Sequence, residues 1–323
     1  MSPPRLSVVI PTRDTQALTL ACLASLTRAR HPPLEVVVVD DGSSDGTAAA
    51  VAAAYPEARV LRHPASRGFT AAANAGLAAA GGELLWLLNS DTEVDPGAPE
   101  SLDAAFARDP RLGVAGAALR YPDGEPQWSG GASPTLVWLF ALASGLARAL
   151  TAIPGWRRLR APSGSTGGEV EWVSAAALAM RRQVWERVGP LDERFALYCQ
   201  DLDLCLRARR AGWRVAVVAD CEVVHHHGAT VAATLGAAAD RHQRRLLWQD
   251  LVRWLGAWRG PAAARRGARA LRWGGALRRL GLALALPWGG AAKRQRLRRE
   301  LADLAAAESA LRRPEAFASV PET

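Results

Sequence analysis

A polar tripeptide directly after an apolar run carries the side chains best suited to chemistry. Leu84–Leu88 are consecutive apolar residues, too few for a helix, and they predict a strand buried on both faces. Asn89, Ser90 and Asp91 follow at once. Ligands of open parallel sheets bind beyond the carboxyl ends of the strands, where oxygens of Asn89 and Asp91 can bind a divalent cation and, through it, a diphosphate. A polar turn after a core strand is the alternative for the tripeptide alone.

The residues ahead of this segment predict a parallel sheet. Residues 6–10 and the β-branched residues 35–39 predict two buried strands, and the apolar spacing at about 15–27 predicts a helix between them. Two buried strands joined by a helix form a right-handed βαβ unit. We therefore expect an α/β protein whose polar loops meet at one edge of the sheet.

Two carboxylates follow the second predicted strand. Asp40 and Asp41 can accept hydrogen bonds from a ribose or a base, as acidic residues do in dinucleotide-binding folds. The alternative is a turn at Asp41, with Ser44 or Asp45 capping the next helix. The Gly-x-Gly-x-x-Gly and Gly-x-x-x-x-Gly-Lys spacings are both missing, so this segment is not a glycine loop that binds phosphate.

A basic residue precedes a third predicted helix. Arg67 lies ahead of an alanine-rich helix at residues 71–80, and both its charge and the helix N-terminus favour an anion such as phosphate. Asn74 lies inside that helix although asparagine is a poor helix former. We therefore expect its side chain to face either solvent or the cleft.

The second half of the chain offers a further carboxylate and a histidine. Asp201 falls at the start of a predicted helix that ends near Gly212, so it is either an N-cap, worth about 1 kcal/mol, or a reactive group. Asp203 lies about 200° around the helix from Asp201, which argues against a shared role. His225 follows a strand; a lone histidine is usually structural, whereas one beside a cation site is a candidate nitrogen ligand.

Four segments in chain order carry a family resemblance. They are residues 7–12 (Ser-Val-Val-Ile-Pro-Thr), 38–47 (Val-Val-Asp-Asp-Gly-Ser-Ser-Asp-Gly-Thr), 67–69 (Arg-Gly-Phe) with 74–76 (Asn-Ala-Gly), and 87–92 (Leu-Leu-Asn-Ser-Asp-Thr). Each alone is a weak signal, but four at compatible spacings are strong. Together they resemble the nucleotide-binding half of the family-2 inverting glycosyltransferases, in the bacterial rhamnosyltransferase-like branch of the GT-A fold. The resemblance covers roughly residues 5–230.

The resemblance implies a set of site residues. Those implied to bind the nucleotide-sugar are Pro11, Thr12, Asp40, Asp41, Arg67, Gly68, Asn74, Asn89, Ser90 and Gln200. It implies that Asp91 binds Mg²⁺ or Mn²⁺ on the sugar diphosphate. The family pattern His-x-x-Gly-x-Ser/Thr favours His225 over its neighbours as a further metal ligand. Asn89 departs from the family's usual Asp-x-Asp, which remains compatible with metal binding because phosphate and water supply much of the coordination of Mg²⁺.

The resemblance also implies the catalytic group. The passage around residues 192–203 looks like the family's Phe-Asp-Glu-x-Phe and Glu-Asp-x-Asp region, in which the aspartate that matches Asp201 is the general base. Gln200 replaces the family's usual glutamate. Loss of that charge affects either acceptor contacts or the pKa of the base.

The positive charge of the chain belongs to its last part. Residues 231–323 carry 18 Lys and Arg against 7 Asp and Glu, whereas the first 230 residues have a net charge of −2.

We expect domains at 1–230 (a nucleotide-sugar half at 1–120 and an acceptor half at 167–230) and at 231–323. Arginine and tryptophan at helical spacing in this tail suit the headgroup region of an anionic membrane. A solvated helical pair packed on the catalytic domain is the alternative. Residues 121–166 form either an acceptor-side or membrane-facing excursion or a helix packed on the core.

The remaining features bound the location. The four cysteines have neither ligand-like nor disulfide-framework spacing, which fits a reducing cytosol. No signal peptide is expected, and no stretch reaches the roughly 18–20 uninterrupted apolar residues of a membrane span. We expect a cytoplasmic protein, peripheral on the inner face of the cytoplasmic membrane.

The expected function is transfer of a sugar from a dTDP- or UDP-sugar, such as dTDP-rhamnose, to a hydroxyl of a glycan or lipid-linked acceptor. Two alternatives from other classes remain at this stage. Asn89 and Gln200 favour a non-catalytic nucleotide-sugar-binding relative, and the basic tail favours a nucleic-acid- or membrane-binding protein. No segment resembles a known nucleic-acid module, so no nucleic-acid partner is expected. A sugar nucleotidyltransferase is disfavoured because no Gly-rich activation loop ending in Arg or Lys lies near the N-terminus.

Overall fold

The computed structural model describes residues 5–29, 34–149, 167–195, 197–226, 228–288 and 290–312. These residues form two compact units. The first comprises the described residues of 1–133, 160–196 and 200–236, and the second those of 134–159, 197–199 and 237–323. The longest segment of the second unit starts at residue 237, and the unit also takes in part of the 121–166 excursion. The rest of that excursion, residues 150–166, lies outside the described residues.

The first unit is built on a nine-stranded sheet. The strands in chain order are β1 (Leu6–Thr12), β2 (Leu34–Asp40), β3 (Arg59–Arg62), β4 (Leu84–Leu88), β5 (Thr92–Val94), β6 (Leu112–Arg120), β7 (Gly130–Gly131), β8 (Gly168–Glu169), β9 (Trp172–Val173), β10 (Ala177–Arg181) and β11 (Arg214–His225). The spatial order is β3-β2-β1-β4-β10-β6-β11-β5, β8 pairs with β11, and β7 pairs with β9 as a separate ribbon.

Helices connect the strands and make up the second unit. Those of the first unit are α1 (Gln16–Arg28), α2 (Thr47–Ala54), α3 (Phe69–Ala79), α4 (Ala98–Arg108), α7 (Arg182–Val188), α8 (Gln200–Arg210) and α9 (Ala229–Leu235). Those of the second unit are α5 (Leu136–Ser144), α6 (Leu146–Ala149), α10 (Ala239–Arg259), α11 (Pro261–Ala285) and α12 (Ala291–Ala310). Short 3₁₀ turns occupy Gly236–Ala238 and Leu286–Trp288.

The sheet has an apolar core on each face. Successive side chains of a strand point to opposite faces. Val8 and Trp86 accordingly pack into one core with α1 and α4, whereas Val9 and Leu85 pack into the other with α3 and α8. Strands buried on both faces need continuous apolar runs, as β1, β2 and β4 have. The predicted α/β class, with a mostly parallel sheet and helices on both faces, is confirmed.

One central strand runs against its neighbours. β1, β2, β3 and β4 are mutually parallel, but β10 pairs antiparallel with both β4 and β6. In this register Ala177, the first residue of β10, lies opposite Leu88, the last residue of β4. The residues that precede β10 therefore arrive at the same sheet edge as the residues that follow β4.

The second unit consists of helices, as expected for the tail. Asp250 of α10 is fully buried there, and its carboxylate accepts hydrogen bonds from the backbone N–H groups of Leu197 and Tyr198 at 3.3 and 3.1 Å. Its other oxygen pairs with Arg253 at 2.9 Å. Burial raises the pKa of Asp250. Residues 197 and 198 are thereby fixed to α10 within the second unit. Among the helices of the described residues, none is long and apolar enough to cross a membrane.

Gly76 tests the packing of α3 on the sheet. A Cβ at this position would lie 2.3 Å from Cγ1 of Val9 and 2.8 Å from Cγ2 of Val39. We expect Gly76→Ala to lower the free energy of unfolding by about 1–3 kcal/mol through overpacking, measured by urea denaturation. Gly97→Ala is the control, because its Cβ would meet only Asp95 Oδ1 at 3.6 Å. Equal midpoints for the two variants would contradict the close packing of α3.

Candidate active site

The carboxyl ends of three neighbouring strands form the edge on which the predicted site residues lie. β1 pairs in parallel with β2 and with β4, and Thr12 is opposite Asp40 in the first pair. Parallel strands end at the same edge of a sheet, so the residues after these strands come together. The hydroxyl of Thr15 confirms the proximity, because it lies 2.8 Å from that of Thr12 and 3.2 Å from that of Ser90.

Asp41 holds the loop that carries Arg67. Its carboxylate accepts hydrogen bonds from the backbone N–H groups of Arg67 and Gly68, both at 2.9 Å, and from the hydroxyl of Ser66 at 2.6 Å. It also lies 2.8 Å from Nδ1 of His63. Burial alone would raise the pKa of Asp41, but these hydrogen bonds outweigh it and lower the pKa. The carboxylate is thus occupied by protein donors and fixes the exposed Arg67 at the N-terminus of α3.

One carboxylate oxygen of Asp40 has no hydrogen bond in the described part of the chain. Oδ1 accepts a hydrogen bond from the N–H of Ser43 at 3.0 Å. Oδ2 is buried and lies 3.2 Å from Nε of Arg62, but it has no hydrogen bond within the described part of the chain. A buried carboxylate oxygen without a hydrogen bond is costly. A donor from a ribose or a base would remove that cost, which supports the predicted nucleoside contact.

Glycine allows the loops around these acids to approach closely. Gly42 adopts φ +74°, a left-handed conformation that glycine tolerates best. A Cβ there would lie 2.8 Å from the backbone nitrogen of Ser66.

Asp45 has the role at the start of the next helix that was predicted as the alternative for this segment. Its carboxylate accepts hydrogen bonds from the N–H of Thr47, the first residue of α2, and from the N–H of Gln16, each at 3.0 Å.

Pro11, Thr12 and Ser90 lie below the surface of this edge. Pro11 and Thr12 belong to the buried strand β1, and the hydroxyl of Thr12 lies 2.7 Å from that of Thr19 on α1. The buried hydroxyl of Ser90 lies 3.5 Å from that of Thr230. These side chains therefore join the strand ends to α1 and to the start of α9.

Asn74 joins α3 to the turn at residues 190–193. Its amide nitrogen donates to the carbonyl of Leu191 at 2.9 Å and to Oε1 of Glu193 at 3.1 Å. Its amide oxygen accepts a hydrogen bond from the N–H of Leu191 at 2.9 Å. The side chain thus bonds to both backbone groups of one residue, an arrangement that the expected solvent or cleft orientation did not include. The amide positions the turn that leads towards α8.

Asn89, Asp91 and His225 form the group that fits a divalent cation. Nε2 of His225 lies 3.4 Å from Oδ1 of Asp91 and 3.5 Å from Nδ2 of Asn89. Oδ1 of Asn89 and Oδ1 of Asp91 are both buried without a hydrogen bond in the described residues. Burial alone would raise the pKa of Asp91, but His225 and Thr230 outweigh it and lower the pKa. An ionised carboxylate, an amide oxygen and an imidazole nitrogen are donors that Mn²⁺ and Mg²⁺ accept.

This donor set is incomplete by itself. Across the described ranges, no three His, Cys, Asp or Glu side chains group as metal ligands. Mg²⁺ sites commonly use one or two carboxylates and take their other ligands from substrate phosphates and water. The residues present therefore fit a cation that arrives with a diphosphate.

Gln127 fixes His225, and sequence reasoning did not identify it. Its amide nitrogen donates to the carbonyl of His225 at 3.2 Å, and its amide oxygen lies 2.6 Å from Nδ1 of the same residue. Because the amide nitrogen faces a carbonyl, the amide oxygen must be the group that faces Nδ1. Nδ1 then carries a proton and donates it to Gln127, which fixes the ring of His225 with Nε2 towards Asp91.

Asp201 lies in the first turn of α8 and is partly buried. Its Oδ2 accepts a hydrogen bond from the N–H of Ala175 at 3.0 Å, and its Oδ1 accepts one from the N–H of Leu202 at 2.8 Å. Burial raises the pKa of Asp201, and these hydrogen bonds offset only part of the effect. A carboxylate with a raised pKa is a stronger base than an ordinary aspartate.

Residues 174–176 connect the candidate base to the candidate metal ligands. The carbonyl of Ala176 accepts a hydrogen bond from the N–H of Asn89 at 3.0 Å, while the adjacent Ala175 donates to Asp201. Ser174 donates to the carbonyl of Ser129 at 2.9 Å, two residues after Gln127. The structure thus brings together the strand end at residues 89–91 and the carboxylate at the start of α8.

The neighbours of Asp201 have separate surroundings. Gln200 is buried at the first position of α8. Asp203 forms an ion pair with Arg207 at 2.8 Å, and the guanidinium of Arg207 also donates to the carbonyl of Pro190 at 2.9 Å. Asp203 therefore stabilises the start of α8 through Arg207.

Comparisons with known proteins give the class. Residues 7–154 match the model of Glycosyl transferase family 2. The chain is 32% identical over 262 residues to N-acetylglucosaminyl-diphospho-decaprenol L-rhamnosyltransferase of Mycobacterium tuberculosis. The aligned region covers 72% of this chain and 82% of that protein. It is 32% identical over 224 residues to the pre-mycofactocin glycosyltransferase of the same species, covering 68% of this chain and 42% of that one.

Solved structures agree on the fold. The mannosyltransferase PcManGT from Pyrobaculum calidifontis, in complex with GDP-Man and Mn²⁺, has a TM-score of 0.58 at 20% identity, covering 96% of this chain and 86% of that one. S. aureus TarS 1-349 has a TM-score of 0.52 at 17% identity, covering 95% and 91%. The fold and the sheet-edge site define a nucleotide-sugar glycosyltransferase of the GT-A class. The chain belongs to glycosyltransferase family 2, which confirms the predicted resemblance.

Gln127 gives a test of the metal group. Because Gln127 sets the tautomer of His225, we expect Gln127→Leu to weaken Mn²⁺ binding about 10–100-fold in the presence of UDP or dTDP, measured by calorimetric titration. Gln183→Leu is the control, since Gln183 is exposed on α7. If Gln127→Leu binds Mn²⁺ as tightly as Gln183→Leu, His225 is not a ligand whose orientation depends on Gln127.

Proposed function

We propose that the protein transfers a sugar from a dTDP- or UDP-sugar to a hydroxyl of a glycan or lipid-linked acceptor, with inversion at the anomeric carbon. The observation that carries the proposal is the hydrogen-bonded path from Asn89 through Ala176 and Ala175 to Asp201. It joins the group that fits a cation to the partly buried carboxylate of Asp201. The name of the mycobacterial rhamnosyltransferase supports dTDP-rhamnose as the first donor to test and a polyprenyl-linked sugar as the first acceptor.

Asp201 is the proposed general base. It accepts the proton of the acceptor hydroxyl as that oxygen attacks the anomeric carbon from the face opposite the leaving diphosphate. The N–H groups of Ala175 and Leu202 each bind one carboxylate oxygen, so they fix the direction of the remaining lone pairs. Placing acceptor and donor in line supplies much of the remaining acceleration.

The donor is held at the other end of this path. When bound, Mg²⁺ or Mn²⁺ supplies positive charge that stabilises the departing nucleoside diphosphate. Asp91, Asn89 and His225 are the residues proposed to hold it. Oδ2 of Asp40 is proposed to accept a hydrogen bond from the nucleoside, and Arg67 to contact phosphate. Asp41, Asn74, Thr12 and Ser90 are proposed to shape the site through the loops and strand ends that they join.

A non-catalytic sugar-nucleotide-binding protein is the second candidate. It is favoured by the amides at Asn89 and Gln200, where the family usually has carboxylates. The raised pKa of Asp201 favours catalysis instead, because a carboxylate whose pKa is raised by desolvation suits the role of a base. Transfer activity of the purified protein decides between the two.

We place this activity on the inner face of the cytoplasmic membrane, with the protein bound peripherally. The excess of basic residues in the second unit and a lipid-linked acceptor both support that setting.

The role of Asp201 is tested by an amide of the same shape. Asp201→Asn cannot accept the proton, so we expect transfer to fall about 10²–10⁴-fold while affinity for UDP or dTDP stays within about threefold. Asp203→Asn is the matched control from the same helix turn and should retain most of the transfer activity. Full activity of Asp201→Asn would exclude this residue as the base.

The pH dependence follows from the directions of two pKa shifts. Asp201 must be ionised to act as a base, and its raised pKa means that kcat falls, as the pH is lowered, at a higher pH than an ordinary aspartate would give. The lowered pKa of Asp91 keeps that carboxylate ionised through the same range. We expect kcat to fall while nucleotide binding with Mn²⁺ persists, measured by parallel rate and binding titrations. A simultaneous loss of both would show that the acid limb reports donor binding.

A further inference from the structure

The second unit has a helix whose large apolar side chains point outward. Trp273, Leu277, Leu280 and Leu284 of α11 follow one another at intervals of four, three and four residues, so they lie on one face of the helix. Trp273 is 72% exposed, and the three leucines are between 46% and 66% exposed. Trp288, in the turn that follows, is 85% exposed. We call the face formed by Trp273, Leu277, Leu280 and Leu284 the α11 strip.

Packing on the opposite face of α11 prevents the helix from turning the strip inward. A Cβ at Gly267 would lie 2.3 Å from Cδ1 of Leu255, and one at Gly274 would lie 2.5 Å from the carbonyl oxygen of Phe140. A Cβ at Gly275 would lie 2.8 Å from the ring of Trp248. Apart from Leu271, the buried residues of α11 are therefore glycine and alanine, and at the three glycines the neighbours leave no room for a side chain. Because a rotation of α11 would bring large side chains into these close contacts, the strip stays exposed.

The charge around the strip has one sign. Residues 251–299 contain 13 Lys and Arg and no Asp or Glu. Arg265, Arg266, Arg269 and Arg272 are exposed in the first half of α11, and five more exposed basic residues lie within residues 293–299 of α12. None of these nine has an ion-pair partner in the described ranges.

The acids of α12 are used inside the unit. Glu300 pairs with Arg278, and Glu308 pairs with Arg279 at 2.8 Å. Asp303 pairs with Arg241 at 2.8 Å. These pairs neutralise arginines within the helical unit, so the nine exposed basic residues of α11 and α12 keep their charge for a partner.

We propose that the α11 strip and its flanking arginines dock on the surface of an anionic phospholipid bilayer. Exposed tryptophan and leucine enter the boundary between headgroups and acyl chains, while arginine binds anionic headgroups. The proposal deepens the peripheral location proposed above by naming the surface and the lipid chemistry. A second copy of the chain would bring two basic surfaces together, and nucleic acid offers no apolar partner for the leucines.

The test measures sedimentation of the full chain with vesicles. We expect binding to vesicles of equimolar phosphatidylglycerol and phosphatidylcholine, weakened by salt, and little binding to phosphatidylcholine alone. Two variants address the two parts of the surface: Trp273→Ala with Leu280→Ser and Leu284→Ser, and Arg269→Glu with Arg272→Glu. Each should weaken binding at least about tenfold. All the substituted side chains are exposed, and circular dichroism and melting check that the fold is kept.

Matched controls come from the first unit. Leu235→Ser removes another exposed leucine, and Arg111→Glu reverses another exposed arginine. Both should bind vesicles like the unmodified chain, and so should Asp201→Asn, because docking does not require catalysis. An enzyme that transfers sugar but does not bind anionic vesicles would overturn the docking proposal while leaving the proposed function intact.

Other outcomes also decide against the bilayer. Vesicle binding unchanged by both surface variants would place the contact elsewhere. A change of oligomeric state in the tryptophan-leucine variant, without vesicle binding by the unmodified chain, would assign the strip to self-association. Tighter binding to duplex DNA than to vesicles, lost only in the arginine variant, would assign the charge to nucleic acid.

Discussion

The antiparallel pairing of β10 with β4 is the constraint on which the candidate site depends. A parallel strand at this place would begin at the opposite edge of the sheet and bring its preceding residues there. Because β10 runs the other way, Ala177 starts opposite Leu88, and the residues before it meet the residues after β4. The two hydrogen bonds of residues 175 and 176 then link Asp201 to Asn89. Asp91, which follows β4, and Asp201 of α8 thereby come to the same edge of the sheet of the first unit.

Several polar side chains of the candidate site act by holding the backbone. The carboxylate of Asp41 binds a loop, the amide of Asn74 binds both backbone groups of Leu191, and the amide of Gln127 binds the ring and carbonyl of His225. Loops that carry ligand-binding groups have few apolar contacts of their own to fix them. Hydrogen bonds from a buried or partly buried polar side chain supply that rigidity, and those of Gln127 fix the ring of His225 with Nε2 towards Asp91.

The strands, the order of the motifs and the position of Asp201 at a helix start could be predicted because each rests on local pattern. Apolar runs, turn residues and helix spacing are all contained within a few neighbouring positions. The partners of the motif residues could not be predicted in this way. Asn74 and Leu191 are separated by 117 positions, and Gln127 and His225 by 98. Such contacts depend on loop paths and side-chain rotamers, which periodicity does not encode. Gln127 lies in a segment rich in Gly, Pro and Trp, and no local signal marks it.

The two amides that depart from the family pattern have a common electrostatic effect. Asn89 beside Asp91, and Gln200 beside Asp201, each place a neutral group where a second carboxylate is usual. A like charge raises the pKa of a neighbouring carboxyl and opposes the approach of a diphosphate. At Asn89 the substitution leaves Asp91 as the single ionised candidate ligand, with a lowered pKa, next to a buried amide oxygen. At Gln200 it removes a repulsion that would add to the effect of burial on Asp201. In this chain the raised pKa of Asp201 therefore comes from burial, and a pH profile of transfer would report desolvation of the carboxylate without a contribution from a glutamate at the preceding position.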